Sequence, residues 1–309
     1  MHFCLAGLLH FVRNDDKGVV NYGSINNDLS GLNNFSSQPT GYLITTALSP
    51  GIIPMSNTSA NSYFKQTSIY KALRYLTDPM RIGYKIKRRQ LKYAHNSFDK
   101  SFDWDWRKIN FNRIALVNLL VSKKPDCAYL EIGCASNGLY DSVPALNKIG
   151  VDPQNGGNVR KTSDDFFLAN ESCFDVIFID GLHTYDQVRR DIVNSIKFLK
   201  PGGWIAFHDM LPRNWMEHNV PYLGTGPWTG DVWKVAFELS QTDGIDFKIL
   251  KIDCGVGVLR LAKDKPVLTD LTAELSDKPF SYFYENISRL PVIEWNDAQD
   301  WLHETAAVK

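Results

Sequence analysis

The stretch Tyr129-Leu-Glu-Ile-Gly-Cys-Ala-Ser-Asn-Gly138, followed by Lys148-Ile-Gly-Val-Asp-Pro153, decides how this chain is read. The apolar run Cys127 to Gly133 suits a buried strand, the glycines after it a turn opening a helix, and Lys148 to Asp152 a second strand ending in a carboxylate. Asp152 stands twenty-one residues after Glu131. In an open α/β sheet, ligands settle outside the carboxyl ends of the strands, where backbone and helix N-terminus lie open and an acidic side chain can accept both hydroxyls of a ribose. The spacing therefore predicts a site for a ribose-bearing cofactor.

Two cofactors compete for it. A dinucleotide requires G-x-G-x-x-G, because its pyrophosphate must approach bare backbone and the positive end of a helix. Here the turn runs Gly133-x-x-x-x-Gly138, with Ala135 and Asn137 between, and the Glu131 carboxylate precedes it. That carboxylate would repel a pyrophosphate and suits a cation. S-adenosylmethionine carries an α-ammonium and a sulfonium and no phosphate, so charge favours a methyl donor over NAD.

Composition narrows the field. The 309 residues allow one large or two modest domains, and a formal net charge of zero gives no global electrostatic case for a nucleic-acid partner, so none is expected. Cys4, Cys127, Cys134, Cys173 and Cys254 lack C-x-x-C spacing, as in a cytoplasmic protein with reduced thiols. The apolar Phe3–Leu9 has no basic flank and is too short to span a bilayer. Residues 1–54 read as disordered or as a non-native extension, with Met55 a candidate natural start. A helical, basic segment follows over 55–108. Within it Arg81–Lys92 holds six cations, which suits a solvated helix face or a contact with an anionic substrate or a membrane surface.

From 109 to 262 helix and strand signals alternate as a parallel sheet requires. Phe111, Ile114, Ala115 and Leu119 mark the buried face of a helix over 109–121. Phe174–Asp180 is a further buried strand. Thr184 and Gln187 fit a capping box, Val188, Ile192, Ile196 and Leu199 form the buried stripe of the next helix, and Pro201-Gly202-Gly203 stops it. A strand Trp204–Asp209, a helix Asp231–Gln241 and a hairpin pairing 247–252 with 256–261 complete the pattern. The tail 263–309, with Tyr282, Phe283, Tyr284, Trp295 and Trp301, carries enough apolar surface to dock on the domain or on a second subunit of a homodimer.

With these elements in place, residues 127–262 resemble a class I S-adenosylmethionine-dependent methyltransferase. Lys148–Pro153, Thr162–Phe167, Phe178–Tyr185, Lys200–Gly203 and His208-Asp209 are similar to a bacterial subgroup acting on sugars, polysaccharides or secondary metabolites. The resemblance implies a Rossmann-like seven-stranded, mostly parallel α/β sheet with helices on both faces and an antiparallel edge hairpin. The chain departs from it at Ala135 and Asn137, which stand where the family has glycines.

The site residues follow. Glu131 would bind the methionine ammonium, Gly133 and Gly138 would let backbone approach, and Asp152 would take the ribose hydroxyls; the resemblance places Ser163 and Asp164 near the adenine. Asp180 and Asp209 end strands that the fold sets side by side, with His183 and His208 beside them. Carboxylates that close need neutralising. A divalent cation such as Mg²⁺ could bridge Asp180, His208 and Asp209 and acidify a substrate hydroxyl; alternatively His183 acts as general base, with Asp180 and Asp209 as its catalytic neighbours and no metal. The function expected is O-methylation of a small-molecule or glycan acceptor. A non-catalytic binding module and an NAD-dependent oxidoreductase are the alternatives.

Overall fold

The computed structural model describes residues 68–304, so the expectations for residues 1–54 and for a start at Met55 lie outside the described residues. The chain divides into two compact units at Tyr84/Lys85, inside helix α1 (Ser68–Lys92). The described part of the smaller unit is the first turns of that helix, and all other described elements belong to the larger unit.

The larger unit is built on seven strands: β1 Ala128–Ile132, β2 Asn147–Val151, β3 Phe174–Ile179, β4 Leu199–Phe207, β5 Ile245–Leu250, β6 Val256–Leu261 and β7 Val292–Ile293. Their order across the sheet is β2-β1-β3-β4-β6-β5-β7. β1, β2, β3 and β4 run parallel, while β6 is antiparallel to both β4 and β5. Every residue of β1 and β3 is buried, as strands covered on both faces must be, and their side chains alternate between two cores. Leu130, Ile132, Ile177, Ile179, Ile205 and Phe207 pack beneath α4 (Tyr185–Phe198), α6 (Lys234–Gln241) and α8 (Phe280–Asn286). Tyr129, Val176, Phe178 and Ala206 pack on the other face against α2 (Arg113–Ser122) and α9 (Trp295–Glu304). The remaining short helices are α3 (Ser163–Ala169), α5 (Trp215–His218) and α7 (Thr272–Leu275).

The tail supplies the seventh strand: β7 adds parallel to β5, while Val159, after β2, makes an isolated bridge to Val151. Several local expectations are corrected. Helix α2 begins at Arg113 because the Asn112 side chain accepts from the amides of Ile114 and Ala115. Its most buried residues are Leu116, Val117, Leu120 and Val121, and Phe111 lies outside the helix, stacked on Trp295 at 4.4 Å. The single-face pattern failed because α9 covers α2 on a second side, where Lys123 donates to the Leu302 carbonyl. No capping box forms at α4: the Tyr185 amide donates instead to Asp231 from forty-six residues away, at 2.7 Å. Pro201-Gly202-Gly203 lies inside β4, which starts at Leu199 with a register shift opposite Phe174/Val176; the helix has already ended at Phe198.

The four described cysteines, Cys127, Cys134, Cys173 and Cys254, are free thiols. No described helix is long and apolar enough to cross a membrane.

Candidate active site

All expected site residues except Ser163 and Asp164 sit at or just past the carboxyl ends of β1, β2, β3 and β4. Glu131 shares a strand face with Tyr129 by the two-residue alternation, and the Tyr129 hydroxyl donates to it at 2.6 Å. Only 2% of Glu131 is exposed, and among the described residues no cation lies within ion-pair distance of it. Burial pushes its pKa up to about 7, against the Tyr129 hydrogen bond; the Asp180 charge adds to the rise and Arg113 opposes it. A buried carboxylate in this condition gains from any cation that reaches it.

The turn after β1 has glycine-like geometry without the glycines. Ala135 has φ 46° and Asn137 φ 65°, both in the left-handed region, so the two departures from the family pattern keep the backbone path that glycines would follow. Asn tolerates that region; alanine is strained there by about 1–2 kcal/mol. Ala135→Gly should therefore stabilise the protein by about 0.5–1 kcal/mol, once the extra freedom of the unfolded glycine is subtracted, raising the melting temperature by about 2 °C. Packing requires a glycine at Gly133: at φ 86°, a Cβ there would lie 2.1 Å from the Asp180 carbonyl oxygen. Around Gly138 a Cβ would meet nothing within 4 Å.

Asp152 is already employed. One oxygen accepts from the amides of Gln154 (2.7 Å) and Asn155 (2.8 Å), the other from Ala135 (3.0 Å), with the Arg160 guanidinium 3.7 Å away. Three of about four acceptor directions are taken, which leaves room for one hydroxyl rather than for both of a diol. Asp152 thus ties the turn after β1 to the loop after β2, and Asn137 reinforces the tie by accepting from Gly157 at 2.6 Å. Ser163 and Asp164 open α3, where Gln187 donates to both, at 3.1 and 3.3 Å; the helix cap itself is Thr162, which accepts from Asp165.

The ends of β3 and β4 hold a dense charge cluster. His183 contributes Nδ1 to Asp209 (3.1 Å) and to the Trp228 carbonyl (2.8 Å), and Nε2 to Asp180 (3.4 Å). With acceptors at both nitrogens, the ring is held as imidazolium: although burial works against it, the Asp209 charge and the Asp180 hydrogen bond raise its pKa to about 9. His208 presents Nδ1 to Asp209 (3.2 Å) and Asp180 (3.5 Å), and Nε2 to Asp253 (3.7 Å), which again outweighs burial and holds its pKa well above the ordinary value. Asp209 itself takes φ 65°, a left-handed conformation that turns the chain sharply out of β4.

Arg113 and Asp253 complete this cluster, and both escaped the sequence reading. Arg113 lies 3.7 Å from Asp180 and donates to Asp253 at 2.8 Å. Asp253 sits in the β5–β6 connection, and its carboxylate is held far below the usual range by His208 and Arg113 despite burial. The available signal was topological: in an antiparallel hairpin beside β4, residue 253 must fall near the end of β4 that carries Asp209. Arg113 had no such signal, because it precedes β1 by fifteen residues and meets Asp253 across 140.

Ligand atoms of Asp180, His183 and Asp209 all lie within 4.8 Å of one another, an oxygen-rich set with one imidazole that suits a hard divalent cation. This trio has His183 where the sequence pointed to His208. Above it the Trp228 indole stacks on His183 (centroids 5.1 Å apart) and Tyr222 packs on Trp228 (5.7 Å).

A model of the methyltransferase-domain family matches residues 150–210, which run from the end of β2 through β4 and contain Asp152, Asp180, His183, His208 and Asp209. Together with a parallel sheet closed by the antiparallel β6, this decides the fold. It is that of a class I S-adenosylmethionine-dependent methyltransferase. Among curated proteins, an uncharacterised protein, R132, of Acanthamoeba polyphaga mimivirus is 26% identical over 129 residues, covering 32% of this chain and 58% of the viral protein. Among solved structures, the chain is similar to the methyltransferase PaMTH1 of Podospora anserina (16% identity, 69% of this chain and all of that one, TM-score 0.37). An O-methyltransferase of Bacillus cereus (13%, 66% and 97%, 0.37) and the N-methyltransferase NodS of Bradyrhizobium japonicum (17%, 48% and 93%, 0.33) are further examples.

Proposed function

We propose that this protein transfers a methyl group from S-adenosylmethionine to an oxygen of a small-molecule or glycan hydroxyl. One observation carries the assignment: a buried carboxylate, Glu131, has no basic partner within ion-pair distance among the described residues, beside a turn that keeps left-handed geometry at Ala135 and Asn137. Such a carboxylate fits an α-ammonium and opposes the pyrophosphate of NAD, which sets the oxidoreductase aside. Asp152 would hold one ribose hydroxyl. The cofactor supplies an electrophilic methyl bound to a sulfonium, so the residues have mainly to align the acceptor, exclude water and take one proton.

Trp228 and Tyr222, tilted 39° to each other, offer the acceptor an aromatic wall beside His183, suited to a sugar ring or an aromatic ring. His183 cannot accept a proton while it is an imidazolium. A divalent cation among Asp180, His183 and Asp209 would supply Lewis acidity there and would compete with that imidazolium for the same carboxylates. The proton-accepting form of the cluster is therefore the one in which His183 has lost its proton.

Calorimetric titration with S-adenosylhomocysteine tests the assignment. Wild type should bind saturably, and Glu131→Gln should bind about 10- to 100-fold more weakly, as loss of a hydrogen bond between charged groups implies. Absence of binding to well-folded protein would sink the methyltransferase assignment.

A further inference from the structure

Helix α1 is pinned along one side and strongly cationic on the other. On its inner side, within the larger unit, Ile86 seats against Gly224, where a Cβ would come within 2.9 Å of it. Arg89 donates to the Tyr222 carbonyl at 3.0 Å, and Gln90 to the Thr225 hydroxyl at 3.2 Å. Just past the helix, Asn96 donates to Asn219 at 3.1 Å. Residues 86, 89 and 90 recur at helical spacing, so the side turned away from them is fixed as the outer face.

That outer face carries Lys87, Arg88 and Leu91, flanked by Lys85 and Lys92, all exposed. Leu91 is 68% exposed. By the helical period it lies one turn from Lys87 and Arg88, with Lys85 and Lys92 bordering them. No acidic residue occurs between Asp78 and Asp99. Lys85, Lys87, Arg88 and Lys92 have no carboxylate partner among the described residues. In a chain of zero net charge, this separation of charge is local and cannot come from overall basicity.

We propose that the outer face of α1 docks on an anionic lipid surface. An exposed leucine among lysines and arginines that have no carboxylate partner suits a helix segment, Lys85 to Lys92, lying in the plane of a membrane interface. Leu91 enters the acyl boundary while the long basic side chains reach back to phosphate and carboxylate headgroups. A groove reader of nucleic acid would put a polar or aromatic group between these cations rather than Leu91.

Co-sedimentation of the full chain with vesicles tests this. Vesicles of phosphatidylcholine with a quarter phosphatidylserine should retain the protein at 50 mM salt, pure phosphatidylcholine should not, and 500 mM salt should release most of it. Lys87→Gln with Arg88→Gln should lower partitioning about 30-fold, from the known contribution of each cation at such a surface. Leu91→Gln should lower it several-fold at unchanged charge, and Lys161→Gln with Lys265→Gln, exposed cations off the helix, should leave it unchanged. These positions are exposed, and melting curves check that each variant folds. The proposal is overturned if anionic vesicles do not retain the protein at low salt, if the α1 variants bind as wild type does, or if a random-sequence RNA is bound while vesicles are not.

Discussion

Exchanging Asp180 for asparagine is expected to lower the melting temperature by about 10 °C and methyl transfer on the order of a thousandfold. Three cationic groups face this one carboxylate: Arg113 at 3.7 Å, His183 at 3.4 Å and His208 at 3.5 Å. Within the cluster, Asp180, Asp209 and Asp253 balance one guanidinium and two imidazoliums. Removing one carboxylate charge leaves a buried cation uncompensated, at about 3–5 kcal/mol. Asparagine keeps the shape, so packing is not the cause. The charge origin is separable from a fold defect by adding His208→Asn: with a cation removed as well, part of the lost stability should return, by about 1–3 kcal/mol of coupling. Thermal melts and single-turnover transfer from labelled S-adenosylmethionine measure both effects. Asp180→Asn melting like wild type would mean that the cluster is not charge-coupled, and unchanged turnover would remove Asp180 from the catalytic group.

What was legible beforehand divides by range of interaction. Strand ends were legible because β1, β2, β3 and β4 end in apolar residues followed or interrupted by a carboxylate, so Glu131, Asp152, Asp180 and Asp209 could be placed on the sheet by inspection. The β5–β6 hairpin was legible for the same reason. What failed depends on partners distant in sequence. Asp231 replaces Thr184 at the cap of α4, β7 comes from the tail, and Arg113 reaches Asp253 across the chain; no local period encodes any of these. The protonation of His183 was illegible too. Its position beside Asp180 was evident, but the Asp209 charge acts with Asp180 against burial to raise its pKa to about 9, and the Asp209 contact is not encoded locally.

Between pH 6 and pH 9, in chelator and without cofactor, the protein should lose on the order of 3 kcal/mol of stability, seen as a melting temperature lower by about 10 °C. Two groups set the sign. His183 has its pKa raised from 6.5 to about 9, so its contribution is fully present below pH 6.5 and is lost as pH rises through 9. Glu131 is a carboxylate with its pKa raised, from 4.5 to about 7; the folded state again binds the extra proton, and stability again falls as pH rises, here through 7. His208 is shifted upward as well and acts in the same direction. Asp180 and Asp253 are shifted downward, so their contributions are lost only in acid and leave this window untouched. Saturating S-adenosylhomocysteine should restore stability most at the alkaline end, because an α-ammonium beside Glu131 removes the cost of ionising it; Glu131→Gln should flatten the Glu131 part of the slope and abolish that restoration. Melting curves at unit pH intervals give the slope directly. A flat profile would show that neither proton is held as the geometry requires, whereas a slope that the ligand does not reverse would leave His183 in place and remove Glu131 as the seat of the cofactor's cation.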